Sequence, residues 1–481
     1  MKRGEVRVKS EWVLRIAACC TLAACNQAPL YHPPELPVAE LFDAADPSGS
    51  RLATEIGWER FFGDPQLKFL IAQALANNRD LAASVARIEQ ARAQYRIQDA
   101  ARLPQVDAAA GASRSQAPLS SIDPELANSS ASVTFNQYNV QAAMASYELD
   151  FWGRVSNLSE AARRRYLATV EGDRAFRLTL IGSVASAYYT IRSGEEGIDL
   201  ARHTVDARQY ALEIAKLRLD AGVTSTVDYD QSAILVTQAQ TQLADLLRST
   251  EQRRSQLQVL VGKPLEATLP AARAIEDPVQ FGALDAGLPS ALLANRPDVL
   301  QAEQQLRAAN ADIGAARAAF FPRIALTGNF GYASAELGDL FRSSQQAWSI
   351  GGLVSLPIFD GGQRQAQLGV AQARLDELVA VYQRTVQTAF SEVSEALIGR
   401  RRYQEQIAAQ EAAVRAQRRL AEVAELRYEN GISIYLEVVD ARRNLFSAEQ
   451  QLIQLRATAL QNGVSLYIAL GGGLASSDPT P

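Results

Sequence analysis

Cysteine is nearly absent from this chain. Only three of 481 residues are Cys, and Cys19, Cys20 and Cys25 all lie at the N-terminus. The body therefore holds no disulfide framework, no thiolate metal site and no cysteine nucleophile. Histidine is scarcer still, with His32 and His203 the only two. That excludes a His-rich metal centre and leaves a Ser–His–Asp triad one isolated His at most. His32 stands in a proline-rich stretch and reads as solvated. No run approaches the ~20 apolar residues of a membrane-spanning helix. Neither sign of charge dominates: 48 Lys+Arg face 53 Asp+Glu, net −5, no footprint for nucleic acid. Walker, HExxH and Gly-x-Ser-x-Gly motifs are missing, so no enzymatic activity is expected. Gly471-Gly472-Gly473 has no helix-start pattern behind it and reads as a flexible end rather than a phosphate cradle. The composition, 47% apolar and 21% charged, is that of a folded chain with room for about three ordinary domains.

The N-terminus reads as a targeting signal. Lys2, Arg3, Arg7 and Lys9 precede a short apolar stretch, Ile16 to Ala24, which ends in Leu22-Ala23-Ala24-Cys25. This resembles a bacterial lipoprotein lipobox, in which the cysteine is lipidated and becomes the new N-terminus. Cys25 is the expected acceptor, since Cys19 and Cys20 lack a Leu at the lipobox position. Asn26 replaces the Asp that retains such lipoproteins in the inner membrane, which implies the outer membrane. Removing residues 1–24 takes away five basic and two acidic residues and leaves 43 against 51, net −8. Residues 28–37 form an extended proline-rich tether. A covalent lipid on Cys25 is the only non-protein group expected; there is no cofactor or metal.

The rest is one unit written twice. Leu75–Gln105 aligns with Leu293–Arg323 at a shift of 218, with Leu-Ala-Asn, Asp80/Asp298 and Pro104/Pro322 identical. Glu213–Leu246 aligns with Glu422–Leu455 at a shift of 209, where Gly222 matches Gly431. The difference puts about nine extra residues in the first copy, mostly in the loop Gln116–Ser130. A period this long marks a duplication, not a solenoid. The expected division is signal peptide 1–24, tether and belt segment 25–64, first copy 65–262, linker 263–288, second copy 289–470 and flexible tail 471–481.

Each copy reads as long helix, two strands, very long helix, tight turn, long helix. Leu375, Leu378, Tyr382, Val386, Ala389, Val393 and Leu397 step by three or four, a single helical stripe. Gly153 to Leu219 has few breakers; Gly172, Gly182, Gly194 and Gly197 are its weak points. Such a helix reaches roughly 100 Å, more than one globular core needs. In the strands Ile324, Leu326, Phe330 and Tyr332 alternate with small or polar residues, as do Trp348, Ile350, Val354, Leu356 and Ile358. Strands are expected at about 104–116, 133–151, 322–334 and 346–359. Such runs suit a transmembrane β-strand. The first copy slips phase after Phe135 and again before Tyr147, which reads as bulges or a boundary error. Pro104 and Pro322 mark helix-to-strand joints. Trp152 with Gly153, and Pro357 with Gly361 and Gly362, mark the strand-to-helix joints.

Four strands leave two edges. In lipid each unsatisfied backbone group costs several kcal/mol, so a spanning sheet must close, and closed barrels start at about eight strands. Other copies of the chain are therefore required. Two copies would supply eight strands and three would supply twelve; spacing does not choose.

These features together resemble the outer-membrane factor family, which includes TolC and the OprM-like lipoproteins of resistance-nodulation-division efflux systems. The matching stretches are Ala294–Val299, Ala319–Arg323, Leu356–Gly362, Leu426–Ser433 and Tyr435–Arg442. The resemblance covers essentially the whole chain after residue 24. It implies a mixed fold, all-α plus transmembrane β-barrel. The duplicated helix–strand–strand–helix unit would build a long periplasmic α-helical barrel, and four strands per chain would contribute to a twelve-stranded barrel of a homotrimer. Residues near Leu41–Gly63, Gly194–Leu200, Gly262–Gly287 and the C-terminal tail would form a belt. The implied function is a passive exit duct among outer membrane lipids. It would take small molecules such as drugs from an inner-membrane pump and a periplasmic adaptor (membrane-fusion) protein. A duct for another exporter (of metal, metabolite or protein) is the alternative. A soluble coiled-coil scaffold explains the helices but neither the lipobox nor the alternating runs.

Two sets of site residues follow. Gly222-Val223-Thr224-Ser225 and Gly431-Ile432-Ser433 occupy equivalent places in the two copies and are expected at tips that meet the adaptor, although any helical hairpin needs such a cap. Leu436, Asp440 and Arg443 lie at i, i+4, i+7 on one helical stripe. OprM-like channels place a Leu, an Asp and an Arg at the matching positions. This implies a periplasmic gate, an apolar ring beside Asp440 paired with Arg443 on its own or a neighbouring chain. Val227 and Gln231 stand at the first-copy equivalents of Leu436 and Asp440, so the charged ring is expected from the second copy alone. The bland reading is an exposed salt-bridged stripe.

Overall fold

A computed structural model describes residues 26–36, 38, 53, 56–118, 131–266, 268–277, 280–282 and 295–473. The expected signal peptide, Cys25, much of the expected belt segment, the loop at 119–130 and the tail at 474–481 lie outside the described residues. The elements are α1 (Trp58–Phe61), α2 (Pro65–Asn77), α3 (Arg79–Ala100), β1 (Asp107–Pro118), β2 (Ser132–Leu149), α4 (Arg154–Asp220), α5 (Thr226–Val261), α6 (Pro297–Ala318), β3 (Arg323–Ser334), β4 (Gln346–Ser355), α7 (Gln363–Glu429) and α8 (Tyr435–Ala469). No helix among the described residues is long and apolar enough to cross a membrane. Two compact units result, and neither is a sequence copy. One takes Met1–Pro34, Glu89–Ala168 and Ala302–Val381, the other Glu35–Ile88, Thr169–Gln301 and Tyr382–Pro481.

The first unit holds a single antiparallel sheet in the order β1-β2-β3-β4. The central β2–β3 pair joins the two copies, running from Tyr138 opposite Ser334 to Leu149 opposite Ile324. The register places Val140, Ala142, Met144, Phe330, Trp348 and Ile350 on one face. A bulge between Met144 and Tyr147 returns Tyr147 and Leu149 to that face, which accounts for the second phase slip. The first slip is no bulge. Pairing of β1 with β2 is continuous from Asp107 to Pro118, so Val133 and Phe135 lie on the opposite face from Tyr138. β1 starts three residues after the expected bound and β4 ends four before it. Pro104 and Pro357 have no N–H for a ladder. β2 ends at Leu149, whose carbonyl accepts from Phe151 N–H at 3.0 Å, and the Asp150 carboxylate caps α4 by accepting from the Val155 and Ser156 N–H groups at 3.0 and 2.7 Å.

The second unit has an extensive apolar core. Phe61 stacks on Tyr467 at 3.8 Å and on Phe281 at 5.0 Å. Backbone bonds from Gly63 N–H to the Gln280 carbonyl and from Gly282 N–H to the Phe61 carbonyl bind two of the expected belt segments together, each at 2.9 Å. Asp64 is the pivot. Its carboxylate caps α2 through Gln66 N–H at 2.8 Å and also accepts from the Tyr188 hydroxyl at 2.7 Å and Arg273 N–H at 3.0 Å. Arg296, in the Ala294–Val299 motif, forks onto Asp298 and reaches Glu392 at 2.7 Å and the Ala469 carbonyl at 3.0 Å. One motif thus ties the start of α6 to α7 and to the end of α8.

Two expectations about glycine are corrected here. Gly172, Gly182, Gly194 and Gly197 do not weaken α4, which is unbroken. They are points of close approach, with Ile468 side-chain carbon 3.2 Å from a Cβ at Gly182 and Gln301 3.1 Å from one at Gly172. Gly471–Gly473 is not a loose end either. It is buried, and a Cβ on Gly472 would run into the Tyr467 ring. Gly471 N–H donates to the Ile468 carbonyl at 2.9 Å.

Candidate functional site

Positive-φ glycines and a capping aspartate recur at the strand-to-helix joints of the two copies. Trp152 Nε1 donates to the Pro322 carbonyl at 2.9 Å, and its ring stacks on Phe321 at 4.7 Å. Pro322 immediately precedes β3, and Pro104 lies between α3 and β1. Gly153 at φ 75° turns the chain into α4, as Gly361 and Gly362 at 63° and 89° turn it into α7 after Pro357. Asp360 accepts from Gly362 and Arg364 N–H groups at 3.0 and 3.1 Å and from Arg364 Nε at 2.6 Å. Those donors hold its carboxyl below the usual carboxylate range, the Arg364 side chain most of all. Arg154 forks onto Glu148 at 2.8 and 2.7 Å, and Arg323 adds 2.7 Å from the other side.

The two faces of the sheet differ in chemistry. Exposed aromatic and aliphatic side chains fill one, with Trp348 at 68% and Ile350 at 81%. The other carries a polar ladder, Asn329 Nδ2 donating to Gln141 at 2.9 Å and Ser349 donating to Asn329. Among the described residues β1 and β4 each leave one side unpaired.

The two helical turns have the same geometry. Gly222 and Gly431 both sit at φ 70°. Val223 N–H bonds the Arg218 carbonyl at 3.0 Å and Gly222 N–H the Leu219 carbonyl at 2.9 Å; Ile432 and Gly431 repeat this on Arg427 and Tyr428 at 2.8 and 2.9 Å. This is the Schellman closure. Val223 and Ile432 stand exposed at its apex. Thr224 Oγ1 donates to Asp228, and Ser225 precedes α5 without a capping bond of its own. The Ser433 hydroxyl is enclosed with no hydrogen-bond partner. On α8 Leu436 is 43% exposed, and Arg443 pairs with Asp440 at 3.0 Å with both side chains about half exposed. Leu436, Asp440 and Arg443 thus share one accessible stripe.

The family model described as "Outer membrane efflux protein" matches residues 70–263 and 288–472. This chain belongs to that family. It is 40% identical over 428 residues to outer membrane protein OprJ of Pseudomonas aeruginosa, covering 89% of this chain and 88% of OprJ. The toluene efflux pump outer membrane protein TtgC of Pseudomonas putida is 39% identical over 431 residues, 88% of each chain. Among solved structures, the open state of the Neisseria gonorrhoeae MtrE outer membrane channel superposes with TM-score 0.86 at 36% identity, over 95% of this chain and 100% of that one. The fold is that of these outer-membrane channels, and the protein is an efflux channel of the outer membrane.

The two helical hairpins touch through residues that sequence reasoning missed. Arg218, at the end of α4, lies over the Tyr428 ring at 4.8 Å, and Arg208 lies over Phe446 at 5.6 Å. Leu235 of α5 packs with Ala421, Ala424, Tyr435 and Val438 of the other hairpin. Burial pushes the Tyr428 phenol up. The Leu-Arg pairs repeated at 217–218 and 426–427 were the available signal, but repetition does not say that one copy packs on the other.

Proposed function

We propose that this channel is the exit duct of a tripartite pump, a homotrimer whose three four-stranded sheets close a twelve-stranded barrel. The observation that carries this is the sheet itself: one face apolar and exposed, the other mostly polar, and both edges unpaired among the described residues. Edge-to-edge pairing of three copies satisfies every edge and leaves a lumen. The apolar face then meets outer membrane lipids. The duct catalyses nothing and needs no cofactor; an inner-membrane pump supplies energy and an adaptor docks on the tips around Gly222–Ser225 and Gly431–Ser433. The cargo is small apolar or amphipathic molecules, as the names of the toluene relatives suggest.

Leu436 with the Asp440–Arg443 pair closes the periplasmic end, and the Arg218–Tyr428 contact holds the two hairpins together in that state. Opening requires α7 and α8 to part from α4 and α5 at their tips. Cys25 carries a covalent lipid. The test is deletion of the gene and complementation. Restored efflux with the protein recovered as an outer-membrane trimer supports this reading; a monomer released by salt refutes it. Cys25→Ala should abolish fatty-acid labelling, and continued labelling would overturn the anchor assignment.

A further inference from the structure

The chain that follows Cys25 is seated on the first unit. Asn157 Nδ2 donates to Asn26 Oδ1 at 2.8 Å, Ala28 N–H donates to the same oxygen at 3.0 Å, and Asn310 Nδ2 donates to the Pro29 carbonyl at 2.8 Å. Arg307 lies over the Tyr31 ring at 5.1 Å. Gly314 makes the seat possible, because a Cβ there would stand 2.8 Å from Ala28 Cα. Asn26 is thereby fixed at the first turn of α4, beside Gly153 and the end of β2. Residue 25 is one peptide unit away, about 3.8 Å between Cα atoms.

The apolar face of the same sheet is dented. Met144, Gly328 and Ile350 stand in one row, and Ala142, Phe330 and Trp348 in the next. Gly328 and Ala142 withhold side chains at the centre, and the larger residues wall a groove of about 580 Å³. Gly328 is five residues beyond Arg323, where β3 begins. That is about 17 Å along the strand, close to half the ~30 Å hydrocarbon thickness that an acyl chain of one leaflet spans.

We propose that this groove binds an acyl chain of the protein's own N-terminal lipid. The proposal rests on the reading of Cys25 as lipidated. The seat holds Asn26, the residue after the anchor, at the foot of β2 and β3, and the groove lies up the same strands. Burying methylene groups against Phe330, Trp348 and Ile350 favours this path over free mixing with bulk lipid, because the tethered chain is already at the site.

The test uses cells fed a palmitate analogue that carries a photoreactive diazirine. The full-length protein is irradiated in outer membranes, digested and mapped by mass spectrometry. The expected product is the N-terminal lipopeptide joined to a peptide containing Gly328 or Trp348. Gly328→Leu should remove that product and leave the labelled lipopeptide intact, and Ala142→Leu provides the same filling from β2. Phospholipid adducts in the groove, with the lipopeptide joined to no strand, would overturn the proposal and leave bulk lipid as the occupant. Absence of label from the N-terminal peptide would instead refute the lipidation of Cys25, and the proposal with it.

Discussion

Removing the Asp440–Arg443 pair should loosen the closed channel by an amount that can be bounded. The pair spans 3.0 Å, but its side chains are 49% and 61% exposed. An ion pair this wet contributes at most about 1 kcal/mol. That pair lies within one helix and survives opening, so the lock is these same charges turned to neighbouring chains; three such inter-chain pairs contribute up to about 3 kcal/mol, about a hundredfold in the closed-to-open ratio at 1.4 kcal/mol per tenfold. Asp440→Ala with Arg443→Ala should therefore raise the resting conductance of the trimer in a planar bilayer by up to about that factor. Raising salt from 0.1 to 1 M shortens the screening length from about 10 to about 3 Å, so the wild type should move toward the double variant. Leu436→Ala should add leak that salt does not change, since a dewetted constriction is not ionic. An unchanged closed state in an assembled double variant, at both salt concentrations, would refute the pair as the lock.

Asp64→Ala should destabilise the protein by about 1–2 kcal/mol in denaturant titrations, because it removes the α2 cap; Tyr188 keeps Gln66 at 3.2 Å. Replacing Gly222 and Gly431 by Val imposes about 1–2 kcal/mol of left-handed strain at each turn and should impair efflux while the trimer persists; full efflux would remove the tips from the adaptor contact. Burial raises the Glu196 carboxyl above its usual range. A carboxyl raised in the folded state binds its proton more tightly there, so it weakens the fold once pH exceeds the unfolded value. Glu196→Gln should then raise the melting temperature at pH 7 and lose that advantage below about pH 4; an equal gain at both pH values would contradict this.

Much of the architecture is legible in the sequence because two periods write it. The stripe through Leu378, Tyr382, Val386, Ala389 and Val393 is buried as a helix of period 3.6 requires. The alternation around Trp348 and Ile350 places both side chains on one face of the sheet, as a period of two requires. Glycine was harder to read. The same residue turns the chain at Gly222, admits a neighbouring helix at Gly182 and packs under Tyr467 at Gly472. Only tertiary contacts separate these roles. Phe135 could not be placed from its phase alone, since its face depends on β1 pairing across the intervening loop. The Trp152–Pro322 bond and the Arg218–Tyr428 contact join residues from different copies, and local patterning carries no information about them.

The central claim is that these strands span the outer membrane around a water-filled lumen. All three native cysteines lie in the first 25 residues, so single cysteines can be introduced one at a time along β4. The measurement is labelling of intact cells with a membrane-impermeant maleimide at positions 347 to 354. Ala347, Ser349, Gly351 and Leu353 positions should label, and Trp348, Ile350, Gly352 and Val354 positions should not. Uniform labelling, or labelling in the opposite phase, would contradict the account.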